Sequence, residues 1–85
     1  MIYERTVTIR NQEGLHERSA KSFALKANQF SGSVWIKTNQ RRVNAKSFLG
    51  ILCLNITGGT EITIMSENKT AVDALAEFAE SGLQE

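Results

Sequence analysis

The hydrophobic pattern of this chain switches repeatedly between a period of two and a period of three to four. No fold built from one kind of element accommodates both periods. From residue 2 to 10 the chain alternates: Tyr3, Arg5, Val7 and Ile9 share one face, and Glu4, Thr6, Thr8 and Arg10 the other. That is a half-buried strand. "NQEG" breaks it with turn residues. From His16 the apolar positions fall at Ala20, Phe23, Ala24 and Ala27, the i, i+3, i+4, i+7 stripe of an amphipathic helix that "NQFSGS" ends. "VWIK" at 34–37 and "RRVNA" at 41–45 predict two strands joined by the turn "TNQ". At Ser47 begins "SFLGILCLNI", apolar on nearly every side, which reads as a short buried helix, with a strand open on periodicity alone. After the "TGG" turn, "TEITIM" alternates with Ile62 and Ile64 inward. "SENKT" then caps a last helix striped by Val72, Leu75, Ala76 and Ala79. The order β-α-β-β-α-β-α, with strands that pair only after helical crossovers, predicts an α+β two-layer sandwich.

Composition narrows the function classes. Eighty-five residues, 41% of them hydrophobic, suffice for one domain spanning 1–85 with one core. A single cysteine excludes an internal disulfide and points to a reducing, cytoplasmic setting; Cys53 itself is expected to pack as a small hydrophobe. One His and one Cys are too few for a structural zinc site, and no metal or cofactor is expected. "MIYERTVTIR" resembles neither a signal peptide nor a membrane span. A net charge of +1 gives no electrostatic case for general nucleic-acid binding. Arg41, Arg42 and Lys46 beside Trp35 leave only a weak version of that reading, against ordinary solvated charge and sheet-face packing.

Two segments carry chemistry. In "GLHERSAKSF" the lone His16 stands where a helix begins, beside amides of residues 17 to 19 that lack intrahelical partners. The aligned peptide dipoles favour an anion there, Arg18 adds a bidentate phosphate donor, and Gly14 allows a sharp turn into the site. The bland alternative is a solvated polar residue at a helix start. In "NAKSFLG" Ser47 falls at a strand-to-helix boundary, where capping is the plain reading and where an added phosphate is also tolerated. Phe48, Leu49 and Leu52 cannot all enter one small core, so part of that surface is expected to face a partner; simple burial is the alternative.

The pairing of "GLHxR" at the first helix with "KSFLGILCL" near the middle resembles the HPr family, the histidine-containing phosphocarriers of the bacterial sugar phosphotransferase system. The resemblance covers residues 2 to about 80. It implies an open-faced sandwich, a four-stranded antiparallel sheet with three helices on one face. It implies that His16 accepts a phosphoryl group on Nδ1 from enzyme I, charged by phosphoenolpyruvate, and passes it to IIA components of sugar transporters. Arg18 would steady the phosphohistidine. Ser47 matches the serine that a kinase/phosphorylase modifies from ATP in Gram-positive members, whose phosphorylated form binds the catabolite control repressor. Phe48, Leu49 and Leu52 match the apolar docking surface. A carrier of this kind is a protein substrate in a relay, not an enzyme; the sequence sets no oligomeric state, and a monomer is the default expectation.

The chain departs from the family at two positions of the first motif. Glu17 stands where a small residue is usual. At ~7 Å its carboxylate repels a doubly charged phosphohistidine by roughly 1–2 kcal/mol before screening, about a factor of ten, and Glu13 adds to it. A first-turn acid is equally explained by the helix dipole. Ser19 replaces a proline, in a chain with no proline at all. That loses a φ restraint worth about 0.4–1 kcal/mol but restores an N–H for phosphate, so Glu17 and Ser19 both rank as candidate phosphate neighbours. These departures support a second reading, a regulatory relative working through Ser47 with a weak or silent His16. Relatives specialised for regulation lack the histidine; this chain keeps it.

Overall fold

The computed structural model describes residues 1–83. Its elements run β1 (Tyr3–Thr8), α1 (Glu17–Ala27), β2 (Val34–Thr38), β3 (Arg41–Asn44), α2 (Phe48–Cys53), β4 (Glu61–Ser66) and α3 (Lys69–Glu80). The strands form one antiparallel sheet in the order β1-β4-β2-β3. This is the four-stranded open sheet with three helices that the alternating periods and the family resemblance predict.

The alternation of β1 and β4 sets the register. Val7 pairs Ile62 and Arg5 pairs Ile64, while Ile36 of β2 pairs Ile64 from the other side. The inward set Val7, Val34, Ile36, Ile62 and Ile64 is buried against the helices. A one-residue slip of any of these strands would turn its inward residues to solvent. α3 lies across β1 and β4, α1 packs against α2 and α3, and α2 sits on β3. Phe23 of α1 and Phe78 of α3 meet with ring centroids 6.3 Å apart, inside the range for favourable tilted aromatic pairs. The small Ala20, Ala24 and Ala27 let α1 approach that core closely, and all three are buried.

The β2–β3 hairpin closes through Asn39 and Gln40, with Thr38 opposite Arg41. Both turn residues have positive φ, 49° and 66°, as a right-twisted two-residue hairpin demands. The expected turn "TNQ" is thus one residue shorter, because Thr38 stays in the ladder and donates its hydroxyl to the Glu61 carbonyl. On the uncovered sheet face Arg42 lies 4.7 Å over the Trp35 ring.

Two expectations need correction. The segment after Ser47 is a helix, but it is not buried all round: within α2 only Ile51 is buried, and Leu54 and Ile56 fill the core beyond its end. Cys53 is exposed rather than packed as a small hydrophobe. A six-residue helix lying on a sheet edge has one inward face, and Ile51 occupies it.

Candidate phosphoacceptor site and docking surface

β1 delivers the chain to the site through a tight turn. The Gly14 N–H donates to the Asn11 carbonyl at 3.0 Å, and Gly14 adopts φ of +68°. A Cβ on Gly14 would collide with the Ile56 carbonyl oxygen, so both conformation and space require glycine. Leu15 is buried and its N–H donates to the Ile56 carbonyl at 2.9 Å. With Leu15 anchored inward, the next side chain faces solvent. His16 is exposed.

His16 is the N-cap of α1, with φ −102° and ψ −169°, and its carbonyl accepts the first helical bond from Ala20 N–H at 2.7 Å. The amides of Glu17, Arg18 and Ser19 precede that bond and lack intrahelical acceptors. The His16 N–H donates to Ser19 Oγ at 3.2 Å. This has the outline of a capping box, with the imidazole facing the Ser19 amide, yet no side-chain cap hydrogen bond reaches full geometry. The ring remains available to an incoming group.

The Ser19 hydroxyl donates to the Gly14 carbonyl at 2.8 Å and lies 3.4 Å from the His16 carbonyl. A hydroxyl has one proton, and the shorter contact takes it. Asn11 Nδ2 donates to the same Gly14 carbonyl at 2.7 Å. His16, Arg18 and Ser19 line one cleft of about 810 Å³ together with Asn11, Glu13, Ser22 and Gly82. Glu17 and Arg18 are both exposed. The cleft thus gathers an imidazole, a guanidinium and a helix head, together with the Glu13 carboxylate. That set suits an anionic group of phosphate size.

Ser47 caps α2, its Oγ accepting from Gly50 N–H at 3.0 Å. Gly50 permits this closeness, since a Cβ there would stand 3.2 Å from the Ser47 hydroxyl. The three apolar residues that follow divide their roles. Leu49 is 69% exposed, whereas Phe48 and Leu52 are half-buried and packed on the core. A second surface residue escaped the sequence reading: Leu25 of α1 is 60% exposed. Its signal was present, a large aliphatic residue off the Ala20–Phe23–Ala24–Ala27 stripe. Leu25 and Phe48 line one groove between α1 and α2, of about 600 Å³, together with the charged Glu17, Arg18, Lys21 and Lys46. The groove therefore begins at the residue beside the imidazole and runs toward Ser47.

Elsewhere, the Arg42 guanidinium occupies the Trp35 ring face on which a base would stack, and Lys46 Nζ is bound to the Phe30 carbonyl at 2.7 Å. Among the described residues no cluster of His, Cys, Asp and Glu could hold a metal ion. None of the described helices is long and apolar enough to cross a membrane.

The chain thus presents an exposed imidazole at a helix head, beside an apolar groove, on an open-faced sandwich. Comparison with known proteins identifies its family. The family model described as "PTS HPr component phosphorylation site" matches residues 3–81. The chain is 33% identical over 78 residues to the HPr-like protein Crh of Bacillus subtilis, covering 92% of each. It is 33% identical over 74 residues to phosphocarrier protein HPr of Neisseria meningitidis, covering 87% of this chain and 83% of that one. The crystal structure of HPr-C-His from Thermoanaerobacter tengcongensis superposes with a TM-score of 0.90 at 34% identity, covering 98% of both chains. The chain belongs to the HPr family of phosphocarrier proteins.

Proposed function

We propose that this protein carries a phosphoryl group on His16, taking it from enzyme I and giving it to IIA components of sugar transporters. The observation that supports this most is the exposed imidazole at the head of α1, in one cleft with Arg18. In the transfer, the lone pair of Nδ1 forms a P–N bond as the bond between phosphorus and its donor on enzyme I breaks. The reverse exchange hands the group onward. Arg18 and the amides of residues 17–19 neutralise the charge of the phosphohistidine. Leu25, Leu49 and the half-buried Phe48 and Leu52 supply the apolar ring on which successive partners dock. The protein acts as a cytoplasmic monomer and is a substrate in the relay, as HPr-family carriers are not themselves enzymes.

A second reading assigns the working site to Ser47, phosphorylated by an HPr kinase/phosphorylase and recognised by a catabolite control repressor. The similarity to Crh favours it, but the identity to Crh and to HPr is equal at 33%, so identity does not choose between them. The retained His16 favours the relay.

Incubation with each donor separates the two. With enzyme I and phosphoenolpyruvate, the relay predicts an acid-labile gain of one phosphate at His16, abolished by His16→Ala. Acid-stable, ATP-dependent label at Ser47 with no label at His16 supports the regulatory reading instead.

A further inference from the structure

We propose that Asn11 and Ser19 are positioning residues for His16, clamping the Gly14 carbonyl from two sides and thereby fixing the peptide that presents the imidazole. The proposal rests on the reading of His16 as the phosphoacceptor and adds what holds it in place.

The Gly14 carbonyl accepts from Asn11 Nδ2 at 2.7 Å and from Ser19 Oγ at 2.8 Å. Ser19 Oγ in turn accepts from the His16 N–H at 3.2 Å. The hydroxyl therefore spans the two peptides flanking Leu15, and its only proton is committed to Gly14. Ser19 contributes its oxygen to the turn and leaves its backbone N–H at the helix head. A hydroxyl directed at the phosphate would have to abandon this bridge.

Asn11 shows the same priority. Its Nδ2 must face Gly14, because the reversed amide would set two carbonyl oxygens against each other at that distance. In this orientation Asn11 Oδ1 is buried without a hydrogen-bond partner. A chain tolerates an orphaned acceptor where the other end of the amide is needed. Gly58 closes the arrangement, since a Cβ there would stand 2.6 Å from the Asn11 carbonyl oxygen. The turn is also held from the loop preceding β4, where the Ile56 carbonyl accepts from the Leu15 N–H at 2.9 Å.

The clamp is tested in two states of the full chain. In the unphosphorylated protein, Ser19→Ala is expected to accelerate hydrogen exchange of the His16 amide at least tenfold, with the interior amides of α1 unchanged. Ser19→Thr, which keeps the hydroxyl, restores protection to within about twofold. In phosphoryl transfer from enzyme I, Ser19→Ala lowers kcat about fivefold at unchanged KM. Asn11→Asp, which removes the donor while keeping the shape, does the same. Unchanged exchange and unchanged kcat in both variants would overturn the proposal, as would a uniform rise in exchange through α1. Should the wild-type chain take no phosphate from a competent enzyme I, the phosphoacceptor reading fails. The exchange measurement still decides on the clamp.

Discussion

The site depends on one residue's conformation more than on its neighbours' identity. Gly14 takes a positive φ against the Ile56 carbonyl, Leu15 turns inward, and His16 is left facing water. The role of Gly14 was legible in the sequence, since a glycine two residues before a helix cap is a recognisable turn signal. The bridging role of Ser19 was not. It depends on which carbonyl the hydroxyl meets, and that carbonyl belongs to a turn whose geometry no periodicity encodes. At the same scale, Glu17 follows His16 at the start of α1, and its side chain lines the α1–α2 groove. Glu17→Gln should shift the phosphorylation equilibrium toward the phosphorylated chain by up to about tenfold at low salt, and by less at high salt. Distribution of label between this chain and enzyme I at two ionic strengths reads that difference.

At the scale of elements, α2 is the short one, six residues capped by Ser47. Removing that cap by Ser47→Ala should lower stability by about 1 kcal/mol, measured by urea unfolding. Leu49 belongs to the same helix and makes little use of the core, being 69% exposed. Leu49→Glu should therefore leave the unfolding midpoint nearly unchanged while raising KM for enzyme I about tenfold, the loss expected when one interface anchor is removed. The sequence announced α2 as apolar on every side but not how that surface divides. Ile51 takes the one inward position, and the sheet edge beneath leaves Leu49 and Cys53 outside. Burial of a short helix is set by what it lies on, which the sequence of the helix does not contain. α1 and α3 were more legible because three turns of 3.6-residue periodicity define a face.

Across the whole molecule, one sheet with two helices bridged by Phe23 and Phe78 holds the cleft and the groove in a fixed relation. Its far edge is tied by Arg5 of β1, which reaches Glu80 at 3.0 Å and Asp73 at 3.6 Å of α3, and by Lys69 on Asp73 at 2.7 Å. The hydrogen bond from Lys69 holds the Asp73 carboxyl below its ordinary 3.8, and the same bond holds the Lys69 ammonium above its ordinary 10.5. A lowered acid contributes stability above its ordinary value that is lost as pH falls through the lowered one. A raised base contributes below its ordinary value and loses the contribution as pH rises through the raised one. This pair therefore gives a flat middle and two weak limbs, both small because the groups are solvated. Asp73→Asn should shrink the fall in urea midpoint on the acid side, with little change at neutral pH. The central claim is that His16 holds a phosphoryl group it can give back. Its most direct measurement loads the chain with labelled phosphate from enzyme I and phosphoenolpyruvate, then adds excess unphosphorylated enzyme I. The account predicts acid-labile label on His16 that redistributes to the added enzyme. Label that never forms on His16, or that forms and cannot be returned, would contradict it.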